Sequence, residues 1–245
     1  MSSFLSSARL KATAKEHMFG HYGTAICAGL LVTFTTIFFT LMATALAGDI
    51  NSPIGICLYL GISFILSVLS GLFTSGISYF YLKIACGKHV SAGDVFHGFR
   101  NTPDKALRIQ LWISLFTFTA ELPAFFMGSR LTLASSPREL AAYAACTVLS
   151  GIMPFILNLF YGQAFFLLHD FPHYSGQELL SVSRRMTRGH RLRLLYLYIS
   201  FIPYLIPVFL SCGIAMLWVL PYMNATLTEF YLDLVRNSGQ EEVVS

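Results

Sequence analysis

The run from Leu194 to Val235 is almost unbroken in its apolar character, with one soft break at Ser211-Cys212-Gly213, and its length constrains the whole fold. About 42 residues at a rise of about 1.5 Å give about 63 Å of helix. The hydrocarbon core of a bilayer is only about 30 Å thick. One simple span is therefore excluded. The run is either two membrane helices turning near Gly213, or one span with a long projecting tail. The choice sets the span count and the side on which the C-terminus lies.

Composition makes the bilayer the right reference. The chain is 55% hydrophobic and 11% charged, whereas soluble domains carry roughly a quarter charged residues. A soluble fold of this size could not hide that much apolar surface. The expectation is an all-α, polytopic membrane helix bundle, a single integral membrane domain over residues 1–245. The predicted spans are 22–47, 54–83, 109–129, 140–168, 194–210 and 213–233. That makes about six spans, or five if the last run does not turn. Several exceed the necessary length, which calls for tilt or projection. Gly48 and Pro53 mark the first outer turn, and Ser135-Ser136-Pro137 the second. Ala45-Leu46-Ala47 resembles a signal-peptidase site, but the apolar stretch before it begins near Tyr22. This exceeds the roughly 7–15 residues of a signal-peptide core, so it reads as an uncleaved first span.

Positive charge alternates along the chain. Arg9, Lys11 and Lys15 precede the first span. Lys83, Lys88, Arg100, Lys105 and Arg108 lie between the second and third, and Arg184, Arg185, Arg188, Arg191 and Arg193 follow the fourth. The intervening loops hold only Arg130 and Arg138. Basic loops stay in the cytoplasm, so the N-terminus is expected there, and with six spans the C-terminus too. The five cysteines, Cys27, Cys57, Cys86, Cys146 and Cys212, form no CxxC pair. They read as small core residues rather than disulfide or metal ligands.

A threefold repeat runs through the chain: a short basic amphipathic helix, a glycine, then a helical hairpin. The second unit opens Ser91-Ala92-Gly93-Asp94 and the third Ser175-Gly176-Gln177-Glu178. Both fit a capping box, in which a hydroxyl and a carboxylate three residues apart satisfy each other's free N–H groups. Ala92, Val95, Phe96 and Phe99 follow at helical spacing in one, and Leu179, Val182 and Met186 in the other. The first unit shows Leu5, Ala8, Ala12 and Phe19, without an obvious box. Gly20, Gly98 and Gly189 stand where C-caps belong. The hairpins also end alike, with small residues, then aromatics, then a charge, as in Gly76 to Lys83, Gly162 to Asp170 and Ala225 to Asp233. A repeated hairpin favours a turn at Ser211-Cys212-Gly213.

These residues resemble the bacterial integral-membrane family called domain of unknown function 975. Leu10-Lys11, Ala14-Lys15, Gly20, Tyr22-Gly23 and Ala25-Ile26 match its N-terminal signature. Tyr81-Leu82-Lys83-Ile84, Gly87 and Asp94-Val95-Phe96-His97-Gly98-Phe99 match its centre. Asp170, Pro172, Ser183-Arg184, Met186 and Gly189-His190 continue the likeness. Ser200-Phe201-Ile202, Gly213-Ile214, Leu217-Trp218, Pro221-Tyr222, Thr226 and Phe230-Tyr231 complete it. Pro203-Tyr204 departs from the glycine and tryptophan of the family pattern. The resemblance implies a multi-pass protein of the bacterial cytoplasmic membrane and supplies no activity.

Few residues point to chemistry. Glu121 lies in the third apolar segment, two residues before Pro123. A carboxylate at that depth is costly, so it is expected to face the bundle or a wet cavity, as a proton- or cation-coupling site or as a protonated structural acid bonded to a neighbouring helix, unless it lies near the outer interface. Asn158 and Gln163 on the fourth span suit hydrogen bonds between helices. His169-Asp170 and His173 look briefly like a metal cluster, but Pro172 breaks the helical face that two ligands need. Arg184, Arg185, Arg188, Arg191 and Arg193 are candidates for lipid phosphate contacts. Nucleic acid is disfavoured, because that group merges directly into an apolar segment. Pro203, Pro207 and Pro221 interrupt the late helices, as at transporter binding sites. No HExxH, GxSxG, Walker loop or paired carboxylates occur, and no cofactor is implied. The leading expectation is a non-enzymatic protein that organises anionic lipid, membrane-protein partners or its own copies. The rival is a small-solute or ion transporter using Glu121 and the proline-broken helices.

Overall fold

The computed structural model describes residues 4–48, 52–130 and 136–244, with side chains through residue 237. Ser135 of the expected second outer turn lies outside the described residues. The helices are α1 Ser7–Met18, α2 Tyr22–Ala47, α3 Pro53–Ala85, α4 His97–Arg100, α5 Pro103–Gly128, α6 Pro137–Tyr161, α7 Ala164–Asp170, α8 Gly176–Met186, α9 Arg191–Ile199, α10 Leu205–Leu210 and α11 Met216–Val244. Short 3₁₀ turns at Ala92–Phe96 and Ile202–Tyr204 precede α4 and α10. No strand occurs among the described residues.

Five described segments are long and apolar enough to cross a membrane: α2, α3, α5, the continuous run Pro137–Asp170, and Arg191–Leu210. This is the lower of the two expected counts. The remaining expected span falls in α11, which is long but carries Glu229 and Asp233. The turn itself stands where the sequence places it. Gly213 adopts φ +92 and Cys212 φ 50, and the Gly213 N–H donates to the Val208 carbonyl at 2.8 Å. Beyond the turn α11 runs back along α1, where the Leu5 N–H donates to the Asp233 carboxylate at 3.3 Å. The run therefore turns back here, while among the described residues Arg191–Leu210 is its one segment apolar enough to cross a membrane.

The last hairpin is short. Tyr222 packs edge-on against Phe201 with ring centroids 5.5 Å apart. From Tyr222 to Gly213 the helix rises only about 13 Å. Tyr81, which shares a buried cluster with Tyr222, stands about 42 Å of helix from the start of α3. The three units therefore repeat in order but not in height.

The core sits at one end of the bundle. Among the described residues, all three buried clusters contain α11: Ala225 in the first, Tyr231 in the second, Phe230 and Leu234 in the third. Towards the other end the helices face outwards with apolar side chains, as at Phe34, Phe38, Leu41, Phe126 and Leu149. Such a surface has hydrocarbon as its natural solvent.

Local details correct the expected repeat. α1 is capped by Ser6, whose Oγ accepts from the Arg9 N–H. It buries Leu10, Ala14 and Met18, while Ala8, Ala12 and Phe19 are exposed. The capping box at Ser91 and Asp94 is present, but it opens a 3₁₀ turn rather than an amphipathic α-helix. Gly20 and Gly189 adopt positive φ, as C-caps do. Gly98 instead lies within α4, where an added Cβ would meet the Leu72 carbonyl oxygen at 2.3 Å. Gly76 is its counterpart on α3, and a Cβ there would lie 1.7 Å from the Val95 carbonyl oxygen. The cysteines do not form a core: Cys27, Cys57, Cys86 and Cys212 are exposed and Cys146 is half-buried.

Backbone crowding of this kind makes a clear prediction. Gly76→Ala must push the Ala92–Phe96 turn away from α3, at a cost of about 3 kcal/mol. Gly61→Ala, whose Cβ would meet open space, is the matched control. Thermal unfolding in detergent should show a large loss for the first and none for the second.

Candidate functional site

The best-formed site grows from α8. Its N-terminus is fixed by the predicted capping box: the Glu178 carboxylate accepts from the Ser175 N–H at 2.7 Å, and the Ser175 Oγ accepts from the Glu178 N–H at 3.3 Å. Those hydrogen bonds from Ser175 hold the Glu178 carboxyl below the usual carboxylate range. Leu179 and Ser183 face inwards and are buried. The Ser183 hydroxyl donates to the Phe160 carbonyl at 3.0 Å, which ties α8 to α6. With that face committed, Arg184 and Arg185 are left exposed near the C-terminus of α8, where the helix dipole favours cations.

The turn at Gly189 then reverses the chain. It brings Arg191, the first residue of α9, back onto α8. The Arg191 Nη2 donates to the Arg184 carbonyl at 3.1 Å, and its guanidinium carbon lies 3.8 Å from the centre of the Phe160 ring. Ser181, Arg184, Arg185, Arg188 and Arg191 line a cleft of about 410 Å³. Among the described residues, no carboxylate lines it. The Arg191 Nε is buried without a hydrogen-bond partner, and such a donor carries a desolvation cost unless something accepts from it. Four guanidinium groups around one cleft suit a multiply charged oxyanion, because the planar fork bonds phosphate oxygens in pairs.

A second cavity adjoins the first. It is an apolar groove of about 320 Å³ between α5, α6 and α8, and it shares Ser181 and Arg184 with the cleft. Trp112, Phe116, Leu157, Tyr161 and Leu180 are among its walls.

Of the five arginines expected to act together, the structure gathers four. Arg193 is used elsewhere. Its Nη2 donates to the Asp233 carboxylate and, at 2.6 Å, to the Leu5 carbonyl. Asp233 also accepts from the Leu5 N–H and from the Asn237 side chain at 3.2 Å. Arg193 is therefore a fastening between α9, α11 and the N-terminal segment.

The intramembrane candidates do not converge. Glu121 is exposed on the outside of α5 rather than turned into the bundle. Asn158 is also exposed, and its Oδ1 accepts from the Tyr198 hydroxyl at 3.5 Å. Gln163 is buried at the joint between α6 and α7, with its Oε1 unpartnered. His169 turns onto α3, with Nε2 2.8 Å from the Ser75 carbonyl oxygen, while Asp170 accepts from the Tyr231 hydroxyl and His173 is exposed.

Sequence reasoning missed the groups that matter most at the closed end. Glu229 is 4% exposed and pairs with the His17 Nδ1 at 2.7 Å. Lys11 donates to the Ser200 carbonyl at 2.8 Å and lies over the Phe201 and Tyr204 rings. Burial pushes its ammonium below the usual lysine value. A signal was available: Glu229, Asp233 and Asn237 recur every four residues along α11, one polar stripe that needs internal partners.

The family described as protein of unknown function (DUF975) matches residues 1–238. The chain belongs to it. No curated protein and no solved structure matches the chain. The family assignment therefore comes without an activity, and this DUF975 chain must be read from its own geometry.

The division of labour among the arginines is testable. Arg193→Ala leaves the Asp233 carboxylate buried beside an empty space, at a cost of about 3 kcal/mol. Arg188→Ala removes an exposed cation and costs about 0.5 kcal/mol or less. Melting temperatures of the two purified variants should separate accordingly.

Proposed function

We propose that this chain is a non-enzymatic membrane protein that organises anionic lipid, with its basic end at the cytoplasmic face. The observation that carries this reading is the four-arginine cleft at the end of an amphipathic helix, beside segments apolar enough to cross a membrane. Cations near a membrane surface are each worth about 1 kcal/mol towards anionic lipid. The basic clusters before α2, after α3 and after α7 all lie on the loops of one side, which supports a cytoplasmic assignment for that side. The lateral apolar faces leave room for partner proteins or further copies of the chain.

The transport reading finds less support. Glu121 does not reach the bundle interior. The late proline-broken helix does free a carbonyl, because the Tyr204 N–H turns to Phe201 instead of Ser200. Lys11 takes that Ser200 carbonyl, so that one is not left open to a solute.

Two outcomes are expected. Phosphatidylglycerol should raise the melting temperature of the detergent-solubilised protein more than phosphatidylcholine does, as binding to the folded state requires. Replacing Arg184, Arg185 and Arg188 together by Glu should abolish the difference, and an unchanged difference would remove the cleft from the function. Separately, alkaline phosphatase fused after Ser245 should be inactive in cells, since the enzyme matures only outside the cytoplasm. Full activity would reverse the assigned orientation.

A further inference from the structure

The cleft and the groove are contiguous, and that contiguity says more than either alone. We infer that together they form a binding site for one anionic glycerophospholipid, with its phosphate among the arginines and an acyl chain laid in the groove between α5, α6 and α8. The inference rests on the anionic-lipid reading and narrows it from a basic surface to a stoichiometric site.

Charge and shape both select this occupant. The cleft is lined by four guanidinium groups and one hydroxyl, with no acid among them, and the buried Arg191 Nε lacks a partner. Glu178, the acid of α8, is held by its capping box at the far end of that helix. Among the described residues, an incoming phosphate thus meets no competing carboxylate in the cleft. The groove is the reverse: its walls are mostly aromatic and aliphatic side chains. A free phosphate would leave it empty, and a fatty acid would bring too little charge for the cleft.

The two cavities meet at Ser181 and Arg184 on one helix. The junction joins a polar chamber to an apolar one, as a glycerol backbone joins phosphate to acyl chain. Orientation agrees as well. The groove lies between α5 and α6, both apolar enough to cross a membrane, so a chain placed there points where the neighbouring lipids point. α8 carries the headgroup end at the rim.

Ser181 offers a clean probe, because it is exposed and its hydroxyl bonds only within α8, to the Glu178 carbonyl. Ser181→Trp plugs the junction without touching the core. The full-length protein, purified in mild detergent and incubated with dioleoylphosphatidylglycerol, is examined by native mass spectrometry. The wild type should retain a single phosphatidylglycerol, favoured over phosphatidylcholine, and inorganic phosphate should not displace it. Ser181→Trp should weaken retention about tenfold or more, while Arg184→Gln loses a charge-assisted bond and falls by a similar factor.

The outcomes separate the two claims. If Ser181→Trp loses the retained lipid but keeps its phosphatidylglycerol-dependent melting shift, the site stands beside a broader basic surface. If the melting shift survives and Ser181→Trp retains lipid as the wild type does, the groove is not the acyl site and the inference falls alone. Displacement by inorganic phosphate, or equal retention of phosphatidylcholine, also overturns it. Loss of every phosphatidylglycerol effect in the wild type would overturn the broader reading too.

Discussion

A carboxylate buried in an apolar bundle must be paired, and this requirement organises the closed end of the molecule. Glu229 and Asp233 are each 4% exposed. Unpaired, each would carry a desolvation cost that no helix packing could offset. Their partners come from different parts of the chain: His17 from α1, Arg193 from α9 and the Leu5 N–H from the N-terminal segment. Tyr231, between them, reaches Asp170 at the end of α7. One helix thus draws the three repeat units together, and each buried cluster includes part of it.

Fastening at one end explains the look of the other. Once α11 has gathered α1, α7 and α9, the long helices project from the junction with their apolar faces outwards. Hydrocarbon makes that exposure favourable, where water would penalise it. The same fastening sets α8 in place. Its buried face is spent on Ser183 and Leu179, and the Gly189 turn then delivers Arg191 beside Arg184. A basic cleft at the rim of an apolar bundle is the consequence, and phosphate beside acyl chains is the chemistry that fits it.

Legibility in the sequence followed range. The capping boxes at Ser91 and Ser175 and the turn at Gly213 were readable because each depends on residues a few positions apart. The register of α1 was not, since its apolar positions are too few to define a face until α11 supplies Phe230 and Leu234. By sequence Gly98 reads as a cap, because a glycine near a helix end usually is one. Its true constraint, the Leu72 carbonyl, lies on another helix. The arginines stand together in the sequence, yet nothing in their spacing separates Arg193, which faces Asp233, from the four that share a cleft. Glu121 was open to an inward or an interfacial reading from its place in an apolar segment, and the structure leaves it exposed on α5.

By itself the amino-acid sequence determined the solvent, the helical class and the end of the molecule where positive charge collects, because apolar length and charge count are properties of the chain alone. It also excluded one simple crossing for the last run, which is too long for the hydrocarbon core, and left the turn at Gly213 to be shown by the structure. Only the tertiary structure decided how far the last hairpin reaches, which acids are buried, and which arginines meet. Those outcomes depend on contacts between residues far apart in the chain, and on the rotation of each helix about its own axis, which local pattern constrains weakly when most faces are apolar.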